Sequence, residues 1–325
     1  MNFKNTLRYI SALAVVVVAG YFFYLQFKNN ADVLNAYDFS LNSYYIFLSI
    51  VFGTFALLIG PIVWQMYVNN YLQKKLNFTE SYALYCTSAV FKYIPGKVWT
   101  YAAQIALMSS KGISKVVLLY INMVSFICLV FVAAMFSLYY FFCMKAASWG
   151  VSAFMFISLI VLDIVFIVWN NSIINYLIVP VNRIFKVEIQ PIKTKKIIFI
   201  YTQMLYFLAC IFLGTALYFL ARGMNMGVPF TNIFAIMATI SISLILGLIA
   251  FFSVGGLGVR EGTMFVMLKQ FSNIEVALIL PVVARMLTII IEIFMLIIAI
   301  LIGMKYGYFH ELTKSRQKGE NEADN

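Results

Sequence analysis

The chain has 325 residues, of which 63% are hydrophobic and 11% charged, and its mean hydropathy is +0.93. A soluble domain carries roughly 25% charged residues, so this composition excludes a water-soluble protein and predicts an all-α polytopic membrane protein. The net charge of +11 favours anionic lipid head groups over nucleic acid as the electrostatic partner, because loops beside a membrane collect Lys and Arg.

A membrane-spanning helix needs about 20 largely apolar residues. Six runs meet this requirement and are predicted as spanning helices: residues 7–27, 44–64, 116–144, 151–169, 197–221 and 276–303. The first run follows Lys4 and Arg8, exceeds the apolar core of a signal peptide and lacks a clean cleavage site, so we predict that it is retained. Residues 304–325 are predicted as a polar cytoplasmic tail.

Two further apolar stretches, residues 82–108 and 232–271, are interrupted in the middle. The breaks read Lys92-Tyr-Ile-Pro95-Gly96-Lys97 and Ser253-Val-Gly255-Gly256-Leu-Gly258-Val-Arg260-Glu261-Gly262. Proline lacks the amide hydrogen that a helix interior needs, and glycine adopts backbone angles that other residues resist. We therefore predict two broken, re-entrant helical hairpins, although residues 232–252 are long enough to cross the membrane alone.

The distribution of Lys and Arg supports the re-entrant interpretation, because cytoplasmic loops accumulate positive residues. With both stretches re-entrant and the N-terminus inside, 15 of the 23 Lys and Arg residues lie on the cytoplasmic side, four lie outside and four lie within the membrane. If both stretches crossed, the split would be 10 against 9. The larger bias predicts six spans, both termini in the cytoplasm, and one hairpin entering from each side.

The order of these elements repeats along the chain. Residues 7–144 read as span, span, broken stretch and span, and residues 151–303 read the same way. Each half crosses an odd number of times, so we predict an inverted repeat within one transmembrane domain, residues 1–303. Matching interrupted segments in inverted halves point to a transport site near the bilayer midplane, whereas a coincidental alignment of apolar helices is the alternative.

Both breaks carry positive residues beside the start of a half-helix. The free amides at such a helix start suit an anion such as phosphate, and Lys97 and Arg260 add full charges there. Lys97, Tyr101 and Gln104 share one helix face. The alternative is two structural kinks, with glycine present only for close packing. The predicted substrate-binding residues are Lys92, Tyr93, Pro95, Gly96, Lys97, Gln104, Gly255, Gly256, Gly258, Arg260, Glu261, Arg285 and Glu292.

A charged residue within the membrane costs at least about 2.5 kcal/mol on insertion scales, so each one is a functional candidate. Arg260 with Glu292, and Arg285 with Glu261, are candidate ion pairs; the alternative is that such pairs only hold the core together. Asp163 either carries a proton or makes a helix-packing hydrogen bond, and we favour the packing role. The four cysteines lack metal-ligand spacing, and no enzymatic motif is present, so we predict no metal, cofactor or catalytic site.

Residues 253–262 resemble a motif of the lysylphosphatidylglycerol synthase transmembrane (flippase-like) family, and residues 91–97 resemble the other signature of that family. Arg285 matches a basic residue in the last span of the family, and the resemblance covers essentially the whole chain. Two positions depart from the pattern: Val254 stands where proline is usual, and Asn122 stands where an acidic residue is expected. These departures bear on the identity of the lipid more than on the fold.

The resemblance implies a bacterial or archaeal plasma-membrane protein that moves a lipid or a lipid-linked head group between leaflets. Family members accompany an aminoacyl-lipid synthase domain or act alone near cell-envelope glycan biosynthesis, and this sequence contains no synthase domain. We therefore expect a stand-alone, non-enzymatic transporter of a phospholipid or polyprenyl-phosphate-linked lipid. The alternatives are an accessory protein that scaffolds a glycosyltransferase or synthase without transporting anything, and a membrane-embedded polyprenyl-phosphate-sugar transferase.

Overall fold

The computed structural model describes residues 24, 28, 40–93, 99–108, 111–143, 149–185, 193–250, 253 and 256–307. Within these residues the chain forms nine α-helices and no strand, which confirms the predicted all-α class. The helices are α1 Ser43–Asn69, α2 Phe78–Ala89, α3 Trp99–Met108, α4 Lys115–Cys143, α5 Trp149–Phe185, α6 Lys196–Gly223, α7 Ile233–Ile249, α8 Val259–Leu268 and α9 Ile274–Lys305.

Six helical segments of the described chain are long and apolar enough to cross a membrane, so the protein is a multi-pass membrane protein. Five of them, in α1, α4, α5, α6 and α9, overlap predicted spans. The sixth, Phe230–Ile249, falls in a stretch that we predicted to be re-entrant. The predicted span at residues 7–27 lies outside the described residues, apart from residue 24, which is helical.

Helices α7 and α8 form an antiparallel hairpin, which we call hairpin B (residues 233–268). The Asn232 side-chain amide donates to the Phe271 carbonyl at 3.4 Å, so the chain leaves the hairpin near the point where it enters. The Ser243 hydroxyl donates to the Arg260 carbonyl at 3.0 Å and joins the two arms closer to the turn. At 1.5 Å per residue, the second arm, α8, rises about 15 Å over its 10 residues, which is about half of the ~30 Å hydrocarbon core. These contacts support the re-entrant interpretation.

Helices α2 and α3 form the corresponding hairpin A (residues 78–108). Asn77 caps α2 by accepting a hydrogen bond from the Glu80 amide at 2.8 Å. The Glu80 carboxylate also lies 2.6 Å from the Lys111 ammonium, which ties the start of α2 to the residues that follow α3. A 3-10 turn, Val90–Tyr93, ends the first arm. The predicted site residues Pro95, Gly96 and Lys97 lie outside the described residues.

Helices α1 and α6 are antiparallel partners that extend between the open ends of the two hairpins. The Asn42 amide donates to the Gly223 carbonyl at 2.7 Å, which joins the start of α1 to the end of α6. At the other end of the pair, the Tyr67 ring packs edge-on against Phe199. Hairpin A follows the end of α1 and hairpin B follows the end of α6. The two hairpins therefore open at opposite ends of the α1–α6 pair.

The pattern of contacts between helices repeats between the two halves of the chain. When α1 is matched with α6, α2 with α7, α3 with α8 and α4 with α9, every extensive contact among these eight helices has a counterpart. For example, α2 packs on α9 as α7 packs on α4. Each hairpin thus lies against the last helix of the other half. This exchange supports the predicted inverted repeat and brings residues from both halves to a shared centre.

Candidate functional site

The turn ends of the two hairpins meet beside α9. Hairpin A contributes the end of its 3-10 turn, hairpin B contributes the first turn of α8, and α9 contributes two residues that are seven positions apart and so share a helix face. We call this group the cationic cluster, and its members are Lys92, Tyr93, Arg260, Glu261, Arg285 and Glu292. All six are residues that the sequence predicted for the site.

Glu292 connects α9 to hairpin A. The Lys92 ammonium lies 2.6 Å from Oε1 of Glu292, and the Tyr93 hydroxyl donates to Oε2 at 2.7 Å. The predicted ion pair of Glu292 with Arg260 is not formed within the described residues, where the carboxylate of Glu292 pairs with Lys92 instead. The Lys92 side chain is 37% exposed and that of Glu292 is 15% exposed, so this pair is only partly buried.

Glu261 connects the start of α8 to α9. Its Oε1 lies 3.5 Å from Nε of Arg285, which confirms the predicted pairing of these two residues. Its Oε2 accepts a hydrogen bond from the Gly258 amide at 2.6 Å, as in half of a capping box. The Glu261 carboxylate therefore already accepts from the Gly258 amide, which is one of the helix-start amides that the sequence suggested for an anion. The amides of the first turn of α8 still have no partner within the helix.

The aromatic ring of Tyr93 lies among the cations of the cluster. The Arg285 guanidinium is 5.7 Å from the centre of the ring, and the Lys92 ammonium is 5.4 Å from it. At these distances the electron-rich face of an aromatic ring attracts a cation. Tyr93 thus contributes to the cluster both through its hydroxyl, which holds Glu292, and through its ring.

Arg260 forms no ion pair with a carboxylate of the described residues. Its Nε is buried and has no hydrogen-bond partner within that part of the chain. The stem of the side chain lies against two glycines: a Cβ on Gly247 would be 2.4 Å from Cγ of Arg260, and a Cβ on Gly256 would be 3.0 Å from Nε. Gly256 also has a φ of +80°, a backbone angle that glycine tolerates best. Both glycines make room for the arginine.

The charges of the cluster do not cancel. Three cations, Lys92, Arg260 and Arg285, face two carboxylates, Glu261 and Glu292, which leaves one positive charge in excess. A cation held at membrane depth without a counter-ion is costly. The described cluster is therefore electrostatically suited to an anion.

Other predicted residues lie apart from these contacts or outside the described chain. Gln104 is buried, and its Oε1 accepts a hydrogen bond from the Asn122 amide at 2.6 Å, which ties α3 to α4. Asp163 accepts a hydrogen bond from the Gln203 amide at 2.6 Å between α5 and α6, which confirms the predicted packing contact. Gly255 lies outside the described residues.

Gly247 is a residue of the site that sequence reasoning missed. It stands inside an uninterrupted apolar run, where a single glycine resembles ordinary helix packing. The available signal is indirect: in a hairpin, a residue that precedes the turn faces one that follows it, and Arg260 follows this turn. Only the distance between the two arms shows that Gly247 is the position facing the arginine.

A comparison with curated protein sequences found no match to this chain. The model of one protein family, described as the lysylphosphatidylglycerol synthase TM region, matches residues 11–299. The matched range includes both hairpins, the paired helices α1 and α6, and every residue of the cationic cluster. Because the match covers most of the chain, the protein belongs to the lysylphosphatidylglycerol synthase transmembrane-region family.

Proposed function

We propose that the protein moves a lipid with an anionic phosphate head group between the two leaflets, and that the phosphate binds at the cationic cluster. The observation that carries this proposal is the meeting of two hairpins, opened at opposite ends of α1 and α6, around an excess positive charge. Interrupted helices that meet at the interface of an inverted repeat are a common place for substrate sites in transporters.

The chemistry of the cluster supports a phosphate ligand. Arg260 offers a buried Nε donor without a partner in the described chain, and a guanidinium matches the geometry of phosphate oxygens. The amides of the first turn of α8 point out of the start of the helix, which is the positive end of the helix dipole. Both the amides and the dipole favour an anion there. Lys92 and Arg285 supply further charge, each of them shared with a carboxylate.

The same ion pairs suggest how binding is coupled to movement. Lys92 with Glu292, and Arg285 with Glu261, hold the two hairpin ends to α9. A phosphate that competes for these cations weakens the attachment of the hairpins. Loosening one hairpin and then the other opens the cluster to the two sides in turn, so a head group crosses while its hydrocarbon tail stays in lipid.

We further propose that the protein resides in the plasma membrane with both termini in the cytoplasm, on the strength of the Lys and Arg bias in the loops. The substrate is a phospholipid or a polyprenyl-phosphate-linked lipid, and no chemical change of the lipid is proposed. A glycosyltransferase or synthase that makes or uses the lipid is the expected partner class.

Reconstitution into vesicles tests the transport proposal. Fluorescent phosphatidylglycerol in both leaflets is bleached by dithionite from outside, and protein-containing vesicles are expected to lose almost all of the signal whereas empty vesicles keep the inner-leaflet share. A fluorescent lipid with an uncharged sugar head group and no phosphate serves as the control and is expected to stay protected. Equal loss of both lipids would contradict recognition of the phosphate, and loss of neither would contradict transport.

The rival functions give different results. A transferase would produce a lipid of altered mass after incubation with a polyprenyl-phosphate sugar. A scaffold would move no lipid, and it would lose a bound partner when exposed basic residues such as Lys193, Lys195 and Lys196 are neutralised. Each result would replace the proposed function.

The Gly247→Ala variant is expected to weaken binding of an anionic phospholipid by about 5- to 150-fold, because crowding a packed site costs roughly 1–3 kcal/mol. The added methyl meets the stem of Arg260 and displaces its guanidinium. Gly262→Ala is the matched control, since a Cβ at that helical glycine meets nothing within 4 Å. Binding is measured by titration of the purified variants with the fluorescent lipid, and equal affinities for the two variants would remove Gly247 from the site.

A further inference from the structure

Helix α5 carries one carboxyl group into the membrane, and no cation pairs with it in the described chain. Asp163 stands at the centre of the apolar segment Ala153–Ile173 and is 8% exposed. The ion pairs formed among the described residues do not include it. An ionised carboxylate in hydrocarbon is costly unless a cation or several hydrogen bonds compensate it, so this environment favours a neutral acid.

The hydrogen bonds of the neighbouring amide favour the same protonation state. Gln203 of α6 donates from Nε2 to Oδ1 of Asp163 at 2.6 Å, whereas its Oε1 is buried and has no hydrogen-bond partner among the described residues. A carboxylate only accepts hydrogen bonds, but a carboxylic acid also donates one. Turning the amide over would not remove the need for a donor, because Oε1 would then face Oδ1. A proton on Asp163 supplies the missing donor in both orientations.

We propose that Asp163 and Gln203 form a proton-binding site in the membrane, in which the neutral acid donates to Oε1 of the amide and accepts from Nε2. The packing contact between α5 and α6 is then a pair of hydrogen bonds that is complete only while the proton is bound. On release, the O–H bond of the acid breaks, the proton passes to water, and the electron pair stays on the carboxylate. This inference goes beyond the proposed function and does not depend on it.

The site lies near one end of α6 and beside an open groove. Asp163 and Gln203 both line this groove, which has a volume of about 840 Å³ and lies among α1, α4, α5 and α6. Gln203 follows the start of α6 at Lys196 by seven residues, or roughly 10 Å at 1.5 Å per residue. Lys193, Lys195 and Lys196 are exposed at that helix start. The side of the membrane on which α6 begins is therefore the nearer source of water and protons.

The titratable groups that face the site from the neighbouring helices are a thiol and phenols. Cys128 of α4 is close enough to Asp163 for an electrostatic interaction, and the Tyr67 hydroxyl of α1 lies 3.9 Å from its sulfur. On α6, Tyr201 lines the same groove and Tyr206 interacts with Cys128. Ordinary thiols and phenols lose their protons only at about pH 8.5 and 10. A change of charge at this site below about pH 8 is therefore assigned to Asp163.

Helix α5 is attached to the bundle through a narrow face. Its apolar segment is 11% buried, the smallest share among the six candidate spans of the described chain. Asp163, Phe166, Ile167 and Asn170 follow the spacing of one helix face, on which Phe166 and Ile167 pack against the core. Asn170 accepts a hydrogen bond from the Tyr120 hydroxyl at 2.5 Å. Because Asp163 is the titratable member of this face, release of its proton is expected to loosen α5 from α6.

Infrared spectroscopy detects the proton directly, because the C=O stretch of a neutral carboxylic acid is separate from carboxylate and amide bands. Wild-type protein in lipid vesicles is expected to show an acid band at about pH 7, where exposed aspartates, which titrate near pH 4, are ionised. Asp163→Asn is expected to lose the band, and Glu275→Gln, which changes an acidic residue at the start of α9, is expected to keep it. Gln203→Leu is expected to move the band to higher frequency, because the acid carbonyl loses its donor. A wild-type spectrum without the band, or an unchanged band in Asp163→Asn, would overturn the inference.

Hydrogen exchange measured by mass spectrometry tests the attachment of α5. Asparagine is a neutral isostere whose amide both donates and accepts, so Asp163→Asn keeps both hydrogen bonds to Gln203. After correction for the intrinsic effect of pH, α5 peptides of the wild type are expected to exchange roughly tenfold faster once the acid band is lost, because a charge in hydrocarbon is costly. Asp163→Asn is expected to stay protected at both pH values, and Glu275→Gln is expected to follow the wild type. Exchange of α5 that is independent of pH in the wild type, or equally fast in Asp163→Asn, would show that the proton does not control this contact.

Discussion

Replacing Arg260 by glutamine is expected to reduce transport of a fluorescent anionic phospholipid by about 10- to 100-fold, because a hydrogen bond to a charged group contributes roughly 1.5–3 kcal/mol. The substitution removes the cation that has no carboxylate partner in the described chain and brings the charge of the cluster from +1 to zero. Arg260→Lys keeps the charge but loses the planar donors, so an intermediate rate is expected. The measurement is the initial rate of dithionite-accessible fluorescence in vesicles.

Arg222→Gln is the matched control for this experiment. Arg222 is also an arginine at a helix end, but it stacks on Tyr45 at 5.7 Å, near the junction of α1 and α6 and away from the cluster. Its replacement is expected to leave transport within about twofold of the wild type, as for most substitutions away from a site. Wild-type transport by Arg260→Gln, or an equal loss in both variants, would contradict phosphate binding at the cluster.

The Glu292→Gln substitution is expected to lower the free energy of unfolding by about 1–3 kcal/mol, and it is also expected to slow transport. It leaves the Lys92 ammonium without its carboxylate and weakens the hydrogen bond from Tyr93. Removing one partner of a fully buried pair costs more, but the Lys92 side chain is 37% exposed, so this pair is only partly buried. Unfolding of the purified variants in mixed micelles with increasing denaturing detergent provides the measurement.

Two further variants make this prediction specific. Glu275→Gln changes an acidic residue in the first turn of the same helix and is expected to alter the unfolding free energy by no more than about 0.5 kcal/mol. The double variant Lys92→Gln and Glu292→Gln removes both charges of this pair and is expected to recover stability without recovering transport, because neither residue of the pair leaves the other as an unpaired charge. A double variant that is as unstable as Glu292→Gln alone would show that the charge pair is not the cause.

The exchange of hairpins between the halves connects stability to function in this fold. Because α2 packs on α9 and α7 packs on α4, neither half can place its hairpin without the other. The ion pairs of the cluster lie where these exchanged elements converge. A ligand that alters those pairs therefore acts on the contact between the two halves, which is the contact that has to change if access alternates between the two sides of the membrane.

The difference between predicted and observed ion pairs has a simple physical cause. Sequence spacing places Arg285 and Glu292 on one face of α9, but it does not say which hairpin residue reaches each of them. That choice depends on the tilt and rotation of three separate elements, which packing decides. The pair of Arg285 with Glu261 was predicted correctly, whereas Glu292 is held by Lys92 and Tyr93 instead of Arg260.

Gln104 illustrates the same limit. Its spacing from Tyr101 places both on one face of α3, but helical periodicity alone does not reveal which neighbour that face meets. In the structure Gln104 is 2% exposed and bonds to Asn122 of α4. Gly247 shows the limit from the other side, because its role comes from the side chain that it lacks. The space that a Cβ would take there is occupied by the Arg260 side chain from the other arm of the hairpin.

The amino-acid sequence by itself determined the all-α membrane class, five of the spanning helices, the two interrupted stretches and the charged residues that gather near the centre. These features follow from local rules, because hydrocarbon requires every backbone amide to be bonded within a helix, and proline and glycine mark where that fails. Only the tertiary structure decided that the hairpins exchange partners between the halves, that Lys92 neutralises Glu292, and that glycine makes room for Arg260. Those outcomes depend on how separate helices pack together. The shape of a packed interface depends on both surfaces, so the sequence of one segment alone does not predict it.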